Sequence, residues 1–392
     1  MVDQIVLFDG PQWEQLQPLT LTRPTAALRV GMTTVADKWS RRFAMEVCYH
    51  TKAYLRAKYL HTSQSRVLMI NGALMPSTHL VQKLQSLKVN QGLIYKEQIV
   101  AMRCDAYDNS ATAEDLLKKA ECVELDDAEI ISYPEDLLNL NDTWLFQDFE
   151  LRARVNGQAA PSMTSLIGPS EGLYIHPDAQ VYASSINSTD GPVYIDRGAI
   201  VMEGSMLRGP LYIGCNSVVK MGGKIYGKTS IGPRSKVGGE VKRVIMQGNS
   251  NKGHDGYLGD SVIGEWCNFG ADTNISNMKN TYGKVKLYDM SRQRKRLTGE
   301  TFLGLMMGDH CRCAINTSFN TGTVAAYFSN IFGGRPDSFI PPFSWGSDER
   351  YDIGKAIAVA KIVHNRRKIP FTTADESIIR HLYDQYRSHA AN

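Results

Sequence analysis

From residue 195 onward, eight consecutive aliphatic residues recur at intervals of six: Ile195, Val201, Leu207, Ile213, Val219, Ile225, Ile231 and Val237. Four positions after each stand Ala199, Ser205, Leu211, Ser217, Gly223, Thr229, Ser235 and Val241, six of them small. A period of six matches neither the helical repeat nor the alternation of a simple strand. It matches a triangular parallel β-coil. Each flat side takes six residues, one aliphatic side chain points into the narrow interior, and a small residue sits near each corner.

The register breaks after Val237 and resumes at Ile263, Phe269 and Ile275. That interval of 26 is not a multiple of six, so extra residues are expected to bulge from the coil between positions 238 and 262. Ile175 and Val181 share the spacing before the loop 187–192 shifts it, and Met307, Cys313, Phe319, Ala325 and Ile331 recover it. Between 278 and 303 the pattern is absent, and Lys284, Lys286, Arg292, Arg294, Lys295 and Arg296 gather there. This predicts an insertion projecting from the coil.

Residues 1–157 follow other rules. Apolar runs at 5–8, 67–70, 92–95 and 99–102 read as strands, and 80–87 has helical spacing after Ser77 or Thr78. The alternation predicts an α/β layer with a largely parallel sheet, linked by 158–161 to a coil running to about 345. From 346 to 392 the chain reads as helical. Ile353, Ala356, Ile357, Ala360 and Val363 line one face, Pro370 stops that helix, and Thr373-Ala374-Asp375-Glu376 opens a second as a capping box. The pair is expected to cap the open end of the coil.

Composition excludes more than it assigns. A net charge of +4 over 392 residues is too weak to argue for nucleic acid or a membrane surface. No apolar run approaches the roughly 18 residues of a spanning helix, and Met1-Val2-Asp3-Gln4 does not read as a secretion signal. Seven scattered cysteines fit free thiols in a reducing compartment, hence a cytoplasmic protein. No second pair accompanies Cys311 and Cys313, which argues against zinc.

The segment Ser250-Asn251-Lys252-Gly253-His254-Asp255-Gly256-Tyr257-Leu258-Gly259-Asp260, with Asn268-Phe269-Gly270-Ala271-Asp272-Thr273 and Asn277, carries the chemistry. It closely resembles the acetyltransferase half of bifunctional UDP-N-acetylglucosamine pyrophosphorylase/glucosamine-1-phosphate acetyltransferases, over roughly residues 175–330. The family has Lys-x-x-His-x-x-Tyr-(Ile/Val)-Gly-Asp, then Asn-(Ile/Phe)-Gly-Ala-Gly-Thr. The resemblance implies a left-handed parallel β-helix of hexapeptide repeats, acetyl-CoA as co-substrate, a homotrimer, and His254 as general base. An imidazole titrates in the range that accepts a proton from an attacking amine. Tyr257 and Asn277 then hold the sugar phosphate, with Lys242, Lys252 and Lys284 as further substrate-binding candidates. Backbone amides within 316–323 are candidates for the oxyanion donor, and Arg292–Arg296 for contacts to the carrier's phosphates. Two departures stand out: Lys252 precedes the histidine by two positions instead of three, and Asp272 replaces a glycine. A carbonic anhydrase on the same coil needs three histidines around zinc, and His254 has no partner five residues away.

Residues 16–31 resemble the start of sugar-phosphate nucleotidyltransferases, in a shortened form. Such a head implies a sugar 1-phosphate and UTP or another NTP as substrates, with Mg²⁺ if active. Its usual lysine is replaced by Thr25, and Asn71 stands where the family has a metal-binding Asp. Arg23 and Arg29 are the candidate phosphate ligands, with Asn71 beside them, and Asp148 is the candidate metal ligand. Two other functions stay open on sequence: a nucleotidyltransferase whose coil only oligomerises, and a non-catalytic sugar-phosphate-binding scaffold.

Overall fold

The computed structural model describes residues 3–62, 64–118, 120–152, 157–334, 336–347 and 349–386. The coil has three sides. Along the first, parallel rungs run from Leu173–Ile175 through Val193–Ile195, Leu211–Ile213 and Thr229–Ile231 to Leu305–Met307, Thr323–Ala325 and Phe339–Ile340. The second side runs from Gln180–Val181 to Ser344–Trp345, and the third starts at Ser165–Ile167. All eight residues of the six-residue series are 2% exposed or less, so each points inward as its spacing predicts.

The break after Val237 has a different origin from the one expected. Ile231 lies over Met246, fifteen residues later, and Met246 over Ile263, seventeen later. Earlier turns take eighteen, as in Ile213 over Ile231. Residues are lost from two turns; none bulge out. Val241, Met246, Leu258 and Ile263 fill the interior there. So does Lys252, in register with Val237 and 1% exposed.

In the head, the six-stranded sheet has the order Val47–His50, Gln4–Phe8, Val67–Asn71, Gln98–Cys104, Gln91–Tyr95, Glu121–Glu124. Three pairings are parallel and the two made by Gln98–Cys104 are antiparallel, so the sheet is mixed. The expected helix is Thr78–Ser86, capped by the Ser77 hydroxyl. A second helix, Pro134–Arg152, lies between sheet and coil.

The head does not stand apart from the coil. On the first side the outward positions form a ladder: Tyr174, Tyr194, Tyr212, Ser230, Ile245, Val262, Met306, Val324. Its last four residues share one buried core with Leu16, Leu137 and Trp144 of the head. Its tyrosines pack with Met32 and Leu145. The 278–303 insertion folds onto the head as well. It is a hairpin, Lys286–Asp289 with Arg294–Leu297, whose flanking Val285 and Leu303 join that core.

The C-terminal helices, Ile353–Arg366 and Thr373–Gln385, pack on the flank of the coil, where their buried residues share a core with Tyr327, Phe328 and Phe343. Four residues at the corner between the first and second sides, Trp266, His310, Phe328 and Phe343, have φ near +60°. Their rings stack outward, and His364 of the first helix lies 3.9 Å from Trp266. The second helix reaches the head, where His381 stacks on Tyr54 at 4.2 Å and Asp375 pairs with Lys58 at 2.9 Å. Its capping box uses Thr372 and Asp375, one residue earlier than the sequence suggests. No helix among the described residues is long and apolar enough to cross a membrane.

Candidate functional site

His254 lies at the corner between Asn251–Lys252 on the second side and Tyr257–Glu265, which begins on the third. The corner is uncovered by the head, and the imidazole is exposed. Beneath it Lys252 enters from inside the coil, its Nζ donating to the carbonyls of His254 at 2.6 Å and Asp255 at 2.9 Å. Burial pulls the Lys252 ammonium down to about 8 against the pull of Asp255. The inward register turns Lys252 away from any substrate, which corrects its reading as a phosphate ligand. Asp272 adopts φ +55°, the left-handed geometry a glycine would supply, so the turn survives the replacement.

On the third side, Tyr257 Oη accepts a hydrogen bond from Asn277 Nδ2 at 3.0 Å, and the same amide reaches Asp260 at 2.6 Å. Asp260 in turn pairs with Arg243 at 2.8 Å, and Arg243 donates to Asn139 of the head helix. Arg243 and Asp260 were not singled out from sequence, although Asp260 ends the motif that contains His254. Lys242 is exposed on this side, in register with Tyr226 and Gly259. Lys284 is exposed on the insertion and donates to Thr301, two residues from Leu303, whose N–H bonds the Asn277 carbonyl. His254, Lys242, Tyr257 and Asn277 thus share one open corner and side, with Lys284 at its edge. Among the suggested oxyanion amides, Asn316 and Gly322 are already bonded, to Ala271 and to Leu303 and Gly304. Arg296 is committed to Glu135 at 2.5 Å and lies 3.6 Å over the Tyr133 ring.

The head residues are placed otherwise. Arg23 is buried and paired with Asp309, and with Glu265 at 3.3 Å, both on the coil. Burial alone would lower its pKa, but the two carboxylates raise it above the ordinary value. Arg29 donates from Nε to the Gln247 carbonyl at 3.2 Å. Both arginines are therefore seam residues. Asp148 is buried as the counter-ion of Lys38 at 2.6 Å and accepts from the Met32 N–H. Asn71 donates to Gln12, which donates to Gln98, in a chain of amides under the first loop. A Cβ at Gly10 would come within 2.5 Å of the Asn71 amide, so these side chains fill the space beneath that loop. Asp9 accepts from Thr25 N–H and Thr51 Oγ1, and burial pushes its carboxyl up to about 6. The described residues contain no group of three His, Cys, Asp or Glu that could hold a metal ion. Asn71 is neutral and Asp148 is spent on Lys38, so this donor set does not suit Mg²⁺.

Residues 5–156 match the family model of a sugar nucleotidyl transferase. Over 83 residues the chain is 40% identical to the bifunctional protein GlmU of Methanocaldococcus jannaschii, covering 21% of this chain and 20% of the relative. Over 104 residues it is 35% identical to a bifunctional sugar-1-phosphate nucleotidylyltransferase/acetyltransferase of Sulfurisphaera tokodaii, covering 26% and 25%. The matched segments therefore span a fifth to a quarter of these curated relatives. Residues 5–156 are a sugar nucleotidyl transferase domain, joined to a β-solenoid in a chain similar to the bifunctional nucleotidylyltransferase/acetyltransferases.

Proposed function

We propose that this chain transfers an acetyl group from acetyl-CoA to the amine of an amino-sugar phosphate, glucosamine 1-phosphate, in the cytoplasmic synthesis of UDP-N-acetylglucosamine. The observation that carries the reading is the exposed His254 on a corner held from inside by Lys252, beside the Tyr257–Asn277 pair. His254 accepts the proton of the amine as nitrogen attacks the thioester carbon. The C–N bond forms, the C–S bond breaks, and the departing sulfur takes up a proton. Tyr257, Asn277, Lys242 and Lys284 orient the phosphorylated sugar. The corner is open on a single chain, and a homotrimer of parallel coils would close it into a groove. His254→Ala should lower the acetyl-transfer rate by about 10²-fold or more without moving the urea unfolding midpoint; retained activity overturns the assignment.

The family match of residues 5–156 favours a second reading, nucleotidyl transfer from UTP or another NTP to a sugar 1-phosphate. Incubating the protein with acetyl-CoA, glucosamine 1-phosphate, UTP and MgCl₂ separates the readings. Acetylated sugar without pyrophosphate release leaves the head as scaffold. Pyrophosphate release that ignores acetyl-CoA makes the coil an oligomerisation device, and turnover in neither assay indicates a sugar-phosphate-binding scaffold.

A further inference from the structure

A cavity of about 540 Å³ opens between the second side of the coil and the end of the helix Ile353–Arg366, on the corner opposite His254 across that side. Six cations line it: Arg234, Lys236 and Arg312 from the coil, Arg366, Arg367 and Lys368 from the helix end. No acidic residue lines it, and among the described residues none of the six forms an ion pair. The nearby carboxylate of Glu265 is already engaged by Arg23. Basic residues at a helix C-terminus complement its dipole, which accounts for part of the helix cluster. It does not account for the three on the coil.

The coil cations are set by register. Lys236, Asn251, Asn268 and Arg312 occupy one outward row on successive rungs. With rungs about 4.8 Å apart, the row ends in two cations separated by roughly 14 Å, with the Asn251–Asn268 amide bond between them. Arg312 has two buried guanidinium nitrogens, Nε and one terminal NH₂, without a hydrogen-bond partner. Buried donors are rarely left so. Burial and the neighbouring arginines both pull Lys236 down, and burial followed by Arg366 and Arg234 does the same to Arg367. Like charges assembled in one recess without a counter-charge are unfavourable until an anion joins them.

We infer that this cavity is a binding site for a diphosphate group, free or carried by a nucleotide, separate from the His254 corner. Arginine forks match phosphate oxygens two at a time, and a cavity of this size takes a small molecule. The Trp266 ring on its wall is already stacked on His364 behind it, so recognition rests on charge and not on a base.

Isothermal titration of the full chain at low salt with inorganic pyrophosphate, and separately with ADP, tests this. Both should saturate. The double variant Lys236→Glu/Arg366→Glu changes two exposed side chains and should weaken both at least tenfold, with its thermal midpoint within a few degrees of wild type. His254→Ala should bind both as wild type does. Failure of either anion to saturate, or equal affinity in the double variant, overturns the site. Neither result touches acetyl transfer, which is read separately by the His254 variant.

Discussion

Two of the cations buried in this molecule, Arg23 and Lys252, are held under opposite arrangements. Arg23, at the seam between head and coil, is met by two carboxylates, Asp309 and Glu265, and Asp309 also accepts from Thr22 Oγ1 and the Glu265 N–H. Lys252, inside the coil, is met only by two backbone carbonyls. A buried charge in direct contact with opposite charges stays charged; one whose direct contacts are neutral dipoles is held less firmly to its proton. The first arrangement fastens two domains, and the second shapes a corner while keeping a titratable group beneath it.

The largest effect should follow from breaking the first. Arg23→Met leaves Asp309 buried with only Thr22 and one N–H, and removing one partner of a buried pair costs about 3–5 kcal/mol. The midpoint of urea unfolding should fall accordingly, and the far smaller loss typical of an exposed pair would refute the seam's role. Lys252→Met removes a charge that nothing opposite in sign touches. At pH 7 the loss of two hydrogen bonds is offset by the relief of burying an ammonium, so the unfolding free energy should change by no more than about 1 kcal/mol. Acetyl transfer should fall nonetheless, because the His254 and Asp255 carbonyls lose the group that fixes them.

The pH dependence separates the two further. The unfolded chain keeps the Lys252 proton to its ordinary pKa of 10.5, whereas the folded chain releases it near 8. Between those values the unfolded state binds more protons, so stability rises with pH. That contribution is on the order of 3 kcal/mol in total, and it disappears in Lys252→Met. Lys38 is lowered to about 8 too and adds a similar rise to both proteins. The difference between wild type and variant is therefore the quantity to measure. Arg23, raised by its carboxylates, contributes no such slope in this range.

How much of this was legible in the sequence follows the same division. The six-residue series was readable because every side of the coil repeats one inward aliphatic position, and all eight of its members are buried. The same rule failed between 237 and 263, where sides shorten and a lysine takes an aliphatic place; Val241, Met246, Leu258 and Ile263 kept an inward series, but not at six. His254 was singled out because its flanks form a local motif. Arg23 and Arg29 were read as phosphate ligands because their partners, Asp309 and Gln247, lie more than 200 residues away. The helix Pro134–Arg152 escaped notice because it buries residues toward the sheet and the coil alike, leaving no single apolar stripe. The basic row of the second side was hidden for a related reason. Its members stand 15 to 44 residues apart and meet only when the rungs stack.

The smallest change acts on Lys252 from the surface of its corner. Asp272 contributes to raising the Lys252 pKa, behind Asp255 and Cys313, and it occupies a left-handed position at the same corner as His254 in the next turn. Asn tolerates that conformation as well as Asp does, so Asp272→Asn removes a charge without disturbing the backbone. Its effect on the unfolding free energy at pH 7 should stay within about 0.5 kcal/mol. The rise of stability with pH, however, should begin lower than in wild type, because the folded lysine gives up its proton more readily. An unchanged onset would mean that Lys252 is insulated from the corner's carboxylates and held by the two carbonyls alone. A lowered onset would mean that the corner's surface charge reaches the buried amine, and that the two buried cations differ in the strength of their carboxylate field and not in its presence.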